Sequence, residues 1–220
     1  MVLQNFIVLE GIDGSGTSTQ LDCIKNNTKG KKFLFTEEPT SSATGRFLRS
    51  MLKGDVPVSN ETAAYLFAAD RNEHINGPLV IDGDRHLVTG VREACSQGYK
   101  VVSDRYLFSS LAYQSISCPP EIPRLVNSKF PLPRLLIYFD IDPRVSLKRI
   151  GGRDVTEIYE KEDFLSKTVT QYKKVLDEYR AKGEGMDIVT IDASSSKEKV
   201  QSIIEEIIQK EIWRDIEKFR

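Results

Sequence analysis

A glycine-rich segment near the N terminus limits the folds open to this chain more than any other feature. An apolar run over residues 6–9 leads into it, and a segment of helical spacing follows it. The segment itself reads Gly11-Ile12-Asp13-Gly14-Ser15-Gly16-Thr17-Ser18-Thr19. Glycines in such a turn let backbone N–H groups converge on phosphate oxygens, and the N terminus of the next helix adds partial positive charge. A strand, a glycine loop and a helix in this order therefore predict a phosphate-binding loop.

One position of this loop departs from the pattern GxxxxGK[ST], because Thr17 stands where that pattern has lysine. Lysine would set a full charge against the β and γ phosphates of a nucleoside triphosphate, whereas threonine offers only a hydroxyl. Ser18 supplies the hydroxyl that is expected to bind Mg²⁺. A glycine turn that binds nothing is the alternative. We predict a triphosphate site formed by Gly11, Asp13, Gly14, Ser15, Gly16, Thr17, Ser18 and Thr19.

Short apolar runs bounded by polar or glycine positions alternate with segments of helical spacing along the chain. Such runs are typical of buried parallel strands, and we predict strands at 6–9, 33–35, 101–102, 135–139 and 188–191. Helices are predicted at 19–25, 45–52, 62–75, 88–97, 145–150, 164–179 and 197–219. The alternation predicts the α/β class: a three-layer P-loop NTPase fold, with a parallel sheet of about five strands, helices on both faces and a short lid. No linker or repeat divides residues 1–220, so we expect a single domain.

Composition excludes several classes of protein. With 40% hydrophobic and 29% charged residues, the chain is typical of soluble globular proteins. No segment approaches the roughly 18 consecutive apolar residues that a spanning helix needs, so we expect a cytoplasmic protein with no membrane partner. A formal net charge of -1 gives no bulk basic field for a nucleic acid polymer. Three scattered cysteines without CxxC spacing and only two histidines argue against a disulfide framework and a zinc site.

Two segments look irregular. Residues 78–85 carry Asp82-Gly83 between apolar residues, a dipeptide that suits the tight turn of a small hairpin. Residues 149–161 interrupt two helical patterns with Gly151-Gly152 and charged residues, as expected of a mobile lid.

Further motifs follow the glycine loop in a fixed order. They read TEEP at 36–39, TGRFLR at 44–49, LFAADRNEH at 66–74, DRY at 104–106, SSLAYQ at 109–114, LIYFDIDP at 136–143 and IDA at 191–193. Together with the opening strand and loop, these motifs cover most of the chain and resemble those of the thymidylate kinase family. The resemblance implies a nucleoside monophosphate kinase that transfers the γ-phosphoryl group of ATP to dTMP, giving dTDP for dTTP biosynthesis. It also implies Mg²⁺ as cofactor, ATP as co-substrate and a homodimer.

The resemblance assigns a base and sugar site to two helical segments. Phe67 would stack on the thymine ring, and Arg71, one helical turn later, would donate hydrogen bonds to the base edge. Ser110 and Gln114 share one helical face and would meet the same ligand. Tyr113 would lie against the deoxyribose and exclude a 2′-hydroxyl. For Phe67 and Tyr113, packing in the core is the alternative.

The resemblance also assigns the phosphate groups. Arg49 and Arg105 would bind the acceptor phosphate, since a guanidinium holds phosphate oxygens in a bidentate way. Asp104 would hold Mg²⁺, directly or through water, or would orient Arg105 in an ordinary ion pair. Asp13 and Glu38 resemble acids near the sugar and the reacting phosphates. A solvated helix residue is the alternative for Arg49, and surface loop acids are the alternative for Asp13 and Glu38.

If the protein catalyses phosphoryl transfer, another cation must replace the missing lysine. We predict that Arg153, with Arg149 behind it, partly replaces the absent charge when the lid closes. Glu37 is a second departure, because the family has arginine there. The lid end, residues 157–160, lacks an arginine often found in the family, and residues 78–85 look longer than the family's usual connection.

Two other functions stay open from the sequence. One is a kinase of the same fold that acts on another nucleoside monophosphate, such as dUMP. The other is a catalytically weakened or non-catalytic nucleotide-binding protein that lost turnover with Thr17. An acceptor panel separates the first from a thymidylate kinase, and a comparison with Thr17→Lys separates the second.

Overall fold

Five parallel strands form the central sheet of the computed structural model, which describes residues 1–81, 84–151, 159 and 161–217. In chain order the strands are β1 (Val2–Gly11), β2 (Phe33–Glu37), β3 (Pro78–Ile81), β4 (Asp84–Thr89), β5 (Lys100–Asp104), β6 (Leu132–Asp140) and β7 (Asp187–Asp192). The central sheet has the order β2-β5-β1-β6-β7, and its neighbouring strands run parallel. All five predicted strands lie within these bounds, so the predicted sheet is confirmed.

The middle position of β1 follows from its composition. Phe6, Val8 and Leu9 have no exposed surface, and Ile7 is 3% exposed. A strand whose side chains are apolar on both faces is stable only where other elements cover both faces. Glu10, which continues this strand, is also fully buried although it carries a carboxyl group.

Helices connect most of the strands. They are α1 (Thr17–Asn27), α2 (Ala43–Leu52), α3 (Asn60–Asn76), α4 (Gly90–Ser96), α5 (Leu107–Ser117), α6 (Glu121–Asn127), α7 (Pro143–Ile150), α8 (Glu162–Lys182) and α9 (Lys197–Glu217). Helices α1, α4, α5, α8 and α9 contact strands of the central sheet. The predicted α/β class is therefore confirmed. Within the described residues, no helix combines the length and the apolar character needed to cross a membrane.

The segment before α4 corrects one predicted boundary. A helix was expected at 88–97, but Val88 and Thr89 belong to β4, which pairs antiparallel with β3. Gly90 then begins α4 with a φ of 73°, a conformation that favours glycine. The pairing of Ile81 with Asp84 agrees with the predicted hairpin. Its turn residues, 82 and 83, lie outside the described part of the chain.

The register of the sheet brings two motifs side by side. Leu9 of β1 is paired with Asp104 of β5, and Gly11 is paired with Phe139 of β6. The glycine loop and the turn at residues 104–106 therefore leave the sheet at the same edge. Open α/β sheets bind their ligands beyond the carboxyl ends of the strands, so this edge is where a site is expected.

Candidate active site

A cavity of about 690 Å³ lies beyond the carboxyl ends of β1 and β5. Apart from Gly11, every predicted site residue in the described part of the chain lines it: Asp13, Gly14, Ser15, Gly16, Thr17, Ser18, Thr19, Glu38, Arg49, Phe67, Arg71, Asp104, Arg105, Ser110, Tyr113, Gln114 and Arg149. Arg153 lies outside the described residues. The fold thus gathers motifs from six separate segments around one space.

Two glycines shape the loop at one end of this cavity. Gly14 has a φ of 75° and Gly16 a φ of 99°, both in the left-handed region. A Cβ at Gly14 would lie 2.5 Å from the carbonyl oxygen of Ser146, so a side chain there would collide with backbone. Helix α1 begins at Thr17 and has no acidic residue in its first turn. No acid of that turn therefore competes with an anion for the partial positive charge of the helix.

Ser18 and Asp104 offer a place for a divalent cation. The Ser18 hydroxyl donates to Oδ2 of Asp104 over 2.5 Å, and Oδ1 of Asp104 is buried with no hydrogen-bond partner among the described residues. A carboxylate oxygen left unpaired beside a hydroxyl, at the start of the loop helix, fits Mg²⁺, which prefers oxygen ligands and keeps several sites for phosphate and water. Among the described residues there is no group of three or more His, Cys, Asp or Glu that could hold a metal by themselves.

Arg105 is the most constrained cation of the cavity. Its φ of 71° is unusual for a residue other than glycine. Its guanidinium donates to Oδ1 of Asp13 over 2.6 Å, to the carbonyl of Gly11 over 2.9 Å and to the hydroxyl of Ser109 over 3.2 Å. Burial alone would lower the pKa of Arg105, but Asp13 and other nearby groups hold it well above its ordinary value. The charge of Arg105 is therefore permanent and its direction is fixed.

Tyr113 joins the same group. Its hydroxyl donates to Oδ2 of Asp13 over 3.0 Å and accepts the backbone N–H of Asp13 over 3.2 Å. Its ring centroid lies 5.5 Å from the guanidinium carbon of Arg105. Tyr113 is 5% exposed and belongs to the hydrophobic core while it also lines the cavity, so packing and a ligand contact are compatible.

Arg71, which also lines the cavity, lies in a buried polar network. It is 1% exposed and donates to Glu38 over 2.6 Å, to the side-chain oxygen of Asn127 over 2.5 Å and to Ser110 over 3.1 Å. The second oxygen of Glu38 pairs with Nδ1 of His74 over 2.8 Å. The described contacts thus associate Glu38 with Arg71, the residue predicted to contact the base.

Two buried atoms of residues in the cavity wall have no hydrogen-bond partner among the described residues. Nε of Arg71 and Oε1 of Gln114 are buried and make no hydrogen bond in the described structure. A buried donor and a buried acceptor left unpaired are costly, and both residues line the cavity. Phe67 is half-buried, lines the same cavity and packs against the cluster that contains Leu48 and Leu52.

Arg49 is held by the acid that the resemblance marked as a departure. Its guanidinium donates to Oε1 of Glu37 over 2.7 Å and also to the carbonyl oxygen of Pro39. The two charged side chains stay partly exposed, at 42% for Arg49 and 53% for Glu37. Since Glu37, Pro39 and Arg49 all line the cavity, this ion pair belongs to the site.

The predicted lid is described only at its edges. Arg149 belongs to the last turn of α7 and donates to the carbonyl of Ser194 over 3.4 Å. It is exposed and lines the cavity together with Lys197, the first residue of α9. Residues 152–158 and 160 lie outside the described part, and Arg153 is among them.

Several residues that hold the site were missed by sequence reasoning. Asn127 accepts from Arg71, and His74 pairs with Glu38, which Arg71 also contacts. Glu10 with Tyr172 supports the segment after Arg105. The sequence did offer a signal for Glu10, because its carboxyl group directly follows the apolar residues of a predicted strand. Asn127 had none, because α6 is short and has a proline within it.

Comparisons with known proteins point to one family. The family model described as thymidylate kinase matches residues 9–204. A putative thymidylate kinase of Treponema pallidum (strain Nichols) is 35% identical over 209 residues, which cover 94% of this chain and 94% of that protein. A probable thymidylate kinase of Methanocaldococcus jannaschii is also 35% identical over 209 residues, covering 94% and 96%. The solved structure of thymidylate kinase from Candida albicans has the same fold, with a TM-score of 0.69 at 24% identity and coverage of 93% and 91%. Because the family model spans most of the chain and these relatives match it over nearly their full lengths, the chain belongs to the thymidylate kinase family.

Proposed function

We propose that this protein transfers the γ-phosphoryl group of ATP to dTMP, giving dTDP in the formation of dTTP. Family membership supports this reaction, and one observation in the cavity supports the base. Nε of Arg71 is a donor and Oε1 of Gln114 an acceptor, both buried without a partner among the described residues, and both side chains line the same cavity as Phe67.

The chemistry of the base edge explains why this pair favours thymine. Thymine presents an acceptor, O4, next to the N3–H donor, so it can satisfy one donor and one acceptor of the protein. Cytosine presents an amino donor in place of O4 and an acceptor at N3. It would set donor against donor at Arg71, because an arginine side chain offers no acceptor. The site therefore accepts thymine or uracil and rejects cytosine.

The phosphate end provides positioning and charge. Phosphoryl transfer needs both more than it needs covalent chemistry. Arg49 and Arg105 bind the acceptor phosphate, and the loop from Gly11 to Ser18 binds the triphosphate of the donor. The acceptor phosphate is already ionised, so the reaction requires no strong general base. Asp13 holds the guanidinium of Arg105 and the hydroxyl of Tyr113 in fixed directions.

Mg²⁺ completes the donor site in this proposal. Ser18 and Asp104 would hold it, since the unpaired Oδ1 of Asp104 is free to accept a metal-bound water or the ion itself. When bound, the ion neutralises charge on the phosphate oxygens. Arg149 and Arg153 supply the positive charge that Thr17 lacks.

Three further proposals follow, the first from the resemblance and the other two from the composition and the lack of a linker. The protein acts as a homodimer, functions in the cytoplasm and forms one domain over residues 1–220. Light scattering of the purified protein tests the first, since a monomer at the assay concentration would contradict it.

An acceptor panel tests the main proposal. Purified protein is incubated with ATP, Mg²⁺ and dTMP, dUMP, dCMP or dAMP, and ADP release is followed. We expect turnover with dTMP, weaker turnover with dUMP, and kcat/KM for dCMP lower by at least about 100-fold, because mismatched polar groups are left buried. Glu178→Gln, which breaks a surface ion pair with Arg124 away from the cavity, serves as control. Binding of dTMP with no turnover, unrepaired by Thr17→Lys, would show a non-catalytic protein instead.

A further inference from the structure

Glu10 is a buried acid that the proposed reaction does not use. It is the residue of β1 just before the glycine loop, it is fully buried, and it is absent from the wall of the cavity. Burial of a carboxylate is costly unless hydrogen bonds and charges compensate. The contacts of Glu10 therefore indicate the structural role of its carboxylate.

The carboxylate of Glu10 receives four hydrogen bonds. Oε1 accepts the backbone N–H groups of Tyr106, over 2.9 Å, and of Ser109, over 3.2 Å. Oε2 accepts the hydroxyl of Ser109, over 2.7 Å, and that of Tyr172, over 2.8 Å. Three of these donors lie at the start of α5, so the contact joins the central strand to that helix.

Helix α5 has no cap of its own. Its N-cap residue, Tyr106, makes no side-chain cap hydrogen bond, and its first turn contains no acidic residue. The first N–H groups of a helix need partners, and a negative charge near them is stabilising. Glu10 provides both from a strand 96 residues away in the sequence.

The neighbours of Glu10 hold Arg105 from both sides. The carbonyl of Leu9 accepts the backbone N–H of Arg105 over 2.8 Å, and the carbonyl of Gly11 accepts its guanidinium over 2.9 Å. The Ser109 hydroxyl accepts from the same guanidinium over 3.2 Å and donates to Glu10. A residue other than glycine persists in the left-handed region only where surrounding contacts impose that conformation. Residues 9–11 and the start of α5 supply those contacts.

We propose that Glu10 is a positioning residue for Arg105: its carboxylate fixes the turn before α5, so that the guanidinium faces Asp13 and the acceptor phosphate. What Arg105 binds rests on the proposed function; the fixed turn does not. Burial raises the pKa of Glu10 to about 7, against hydrogen bonds from Ser109 and the charge of Arg105. Because burial disfavours the ionised form, an amide at this position would cost less stability than the carboxylate does.

Glu10→Gln tests the role of the charge. The amide keeps an oxygen for the two backbone N–H groups, and its NH₂ can donate to the hydroxyls of Ser109 and Tyr172, so packing is retained. At pH 8 we expect the KM for dTMP to rise about tenfold as charge-assisted bonds are lost, with the KM for ATP within about twofold. Tyr172→Phe, which removes one of the four bonds, should raise the same KM by about threefold and covers the case in which the first variant does not fold.

A double-mutant cycle separates positioning from general stability. If Glu10 acts through Arg105, Glu10→Gln should change dTMP binding by less than about twofold in an Arg105→Ala background. Binding is measured by calorimetry where turnover is too slow. Thr168→Val, which removes a buried hydroxyl bond to Phe164 within α8, is the control for a small loss of stability. An unchanged KM in Glu10→Gln, or equal losses in both backgrounds, overturns the proposal.

A measurement without substrate separates this inference from the proposed function. The ¹⁵N NMR signal of the Arg105 side chain, assigned by its loss in Arg105→Ala, should move in Glu10→Gln and stay in Thr168→Val. A signal that does not move overturns the role of Glu10, whatever the enzyme phosphorylates. A signal that moves, in a protein whose wild type does not phosphorylate dTMP, leaves the positioning role standing and overturns the function alone.

Discussion

Arg49 donates to Glu37 over 2.7 Å in the wall of the cavity, and this ion pair links a proposed phosphate ligand to an acid. Both side chains are about half exposed, so the pair is screened by water and is weak. An acceptor phosphate must compete with Glu37 for the same guanidinium. The ion pair therefore sets how much of the charge of Arg49 is available to dTMP.

Replacing Glu37 should strengthen acceptor binding. In Glu37→Gln the KM for dTMP should fall by about two- to fivefold, since exposed ion pairs contribute up to about 1 kcal/mol. The kcat should stay the same, because the acid does not contact the transferred group. Steady-state kinetics at low salt measures the change. Glu178→Gln breaks a similarly exposed pair with Arg124 far from the cavity and should leave KM unaltered. A KM that rises in Glu37→Gln would show that the acid helps to bind the acceptor.

The substitute for the missing lysine can be tested by combining two substitutions. Arg153→Ala should lower kcat by about 10²–10³-fold, as expected for loss of one well-placed charge in the transition state. In a Thr17→Lys background the same substitution should cost clearly less, because the lysine then supplies that charge. Rapid-quench measurement of the transfer step gives both values. Full activity of Arg153→Ala in the wild-type background would exclude this role.

The base-reading role of Gln114 predicts a change in selectivity. Gln114→Leu keeps the approximate volume of the side chain but removes Oε1, which should raise the KM for dTMP about tenfold. The preference for dTMP over dCMP should shrink at the same time. Gln97→Leu, at an exposed glutamine whose amide contacts Glu93, is the control. Unaltered selectivity in Gln114→Leu would assign the base to other groups.

Glu10 makes stability depend on pH in a defined direction. Its pKa is raised by burial from 4.5 to about 7, with Ser109, Arg105 and Tyr172 opposing the shift. Burial also raises the pKa values of the neighbouring Tyr172 and Tyr138, which stay neutral. The folded state binds the proton of Glu10 more tightly than the unfolded chain does. Its contribution to stability is therefore complete below pH 4.5 and is lost as the pH rises through about 7.

Glu10→Gln cannot ionise and should escape this loss. Relative to wild type, its free energy of unfolding should improve by up to roughly 3 kcal/mol between pH 5 and pH 8.5. Urea denaturation of both proteins across this range measures the difference. Thr168→Val should show a constant offset from wild type at every pH. Parallel curves for Glu10→Gln and wild type would mean that Glu10 does not titrate in this range.

The sheet was predictable because its signal is local. The run at residues 135–139 can be recognised from its own apolar residues. Such a run is stable as a strand only where other elements cover both of its faces. The start of α4 was not predictable in this way, since residues 88 and 89 fit a helical pattern until their pairing with β3 is known. Helix α6 has seven residues and contains Pro123, too short a pattern to detect.

The residues of the site were predictable from motifs, but their partners were not. Arg49, Arg71 and Arg105 each occur in a recognisable segment, and each lines the cavity. Glu37 accepts from Arg49, and Asn127 accepts from Arg71. Glu10 reaches Arg105 through Ser109. These partners come from other elements and are brought into place only by the packing of the fold. Spacing along a helix shows which residues lie on the same face, but it does not show which residues of other elements contact that face.

The left-handed backbone of Arg105 places a conformational cost at a residue that the proposed function needs. Glycine at this position would relieve the conformational cost that the arginine bears. Glycine would also remove the guanidinium that pairs with Asp13, so the relief of backbone strain would be offset by a largely buried acid left without its cation. Melting temperature at this position therefore reports a balance between backbone strain and ion pairing, and engineering of residue 105 should measure catalysis alongside it.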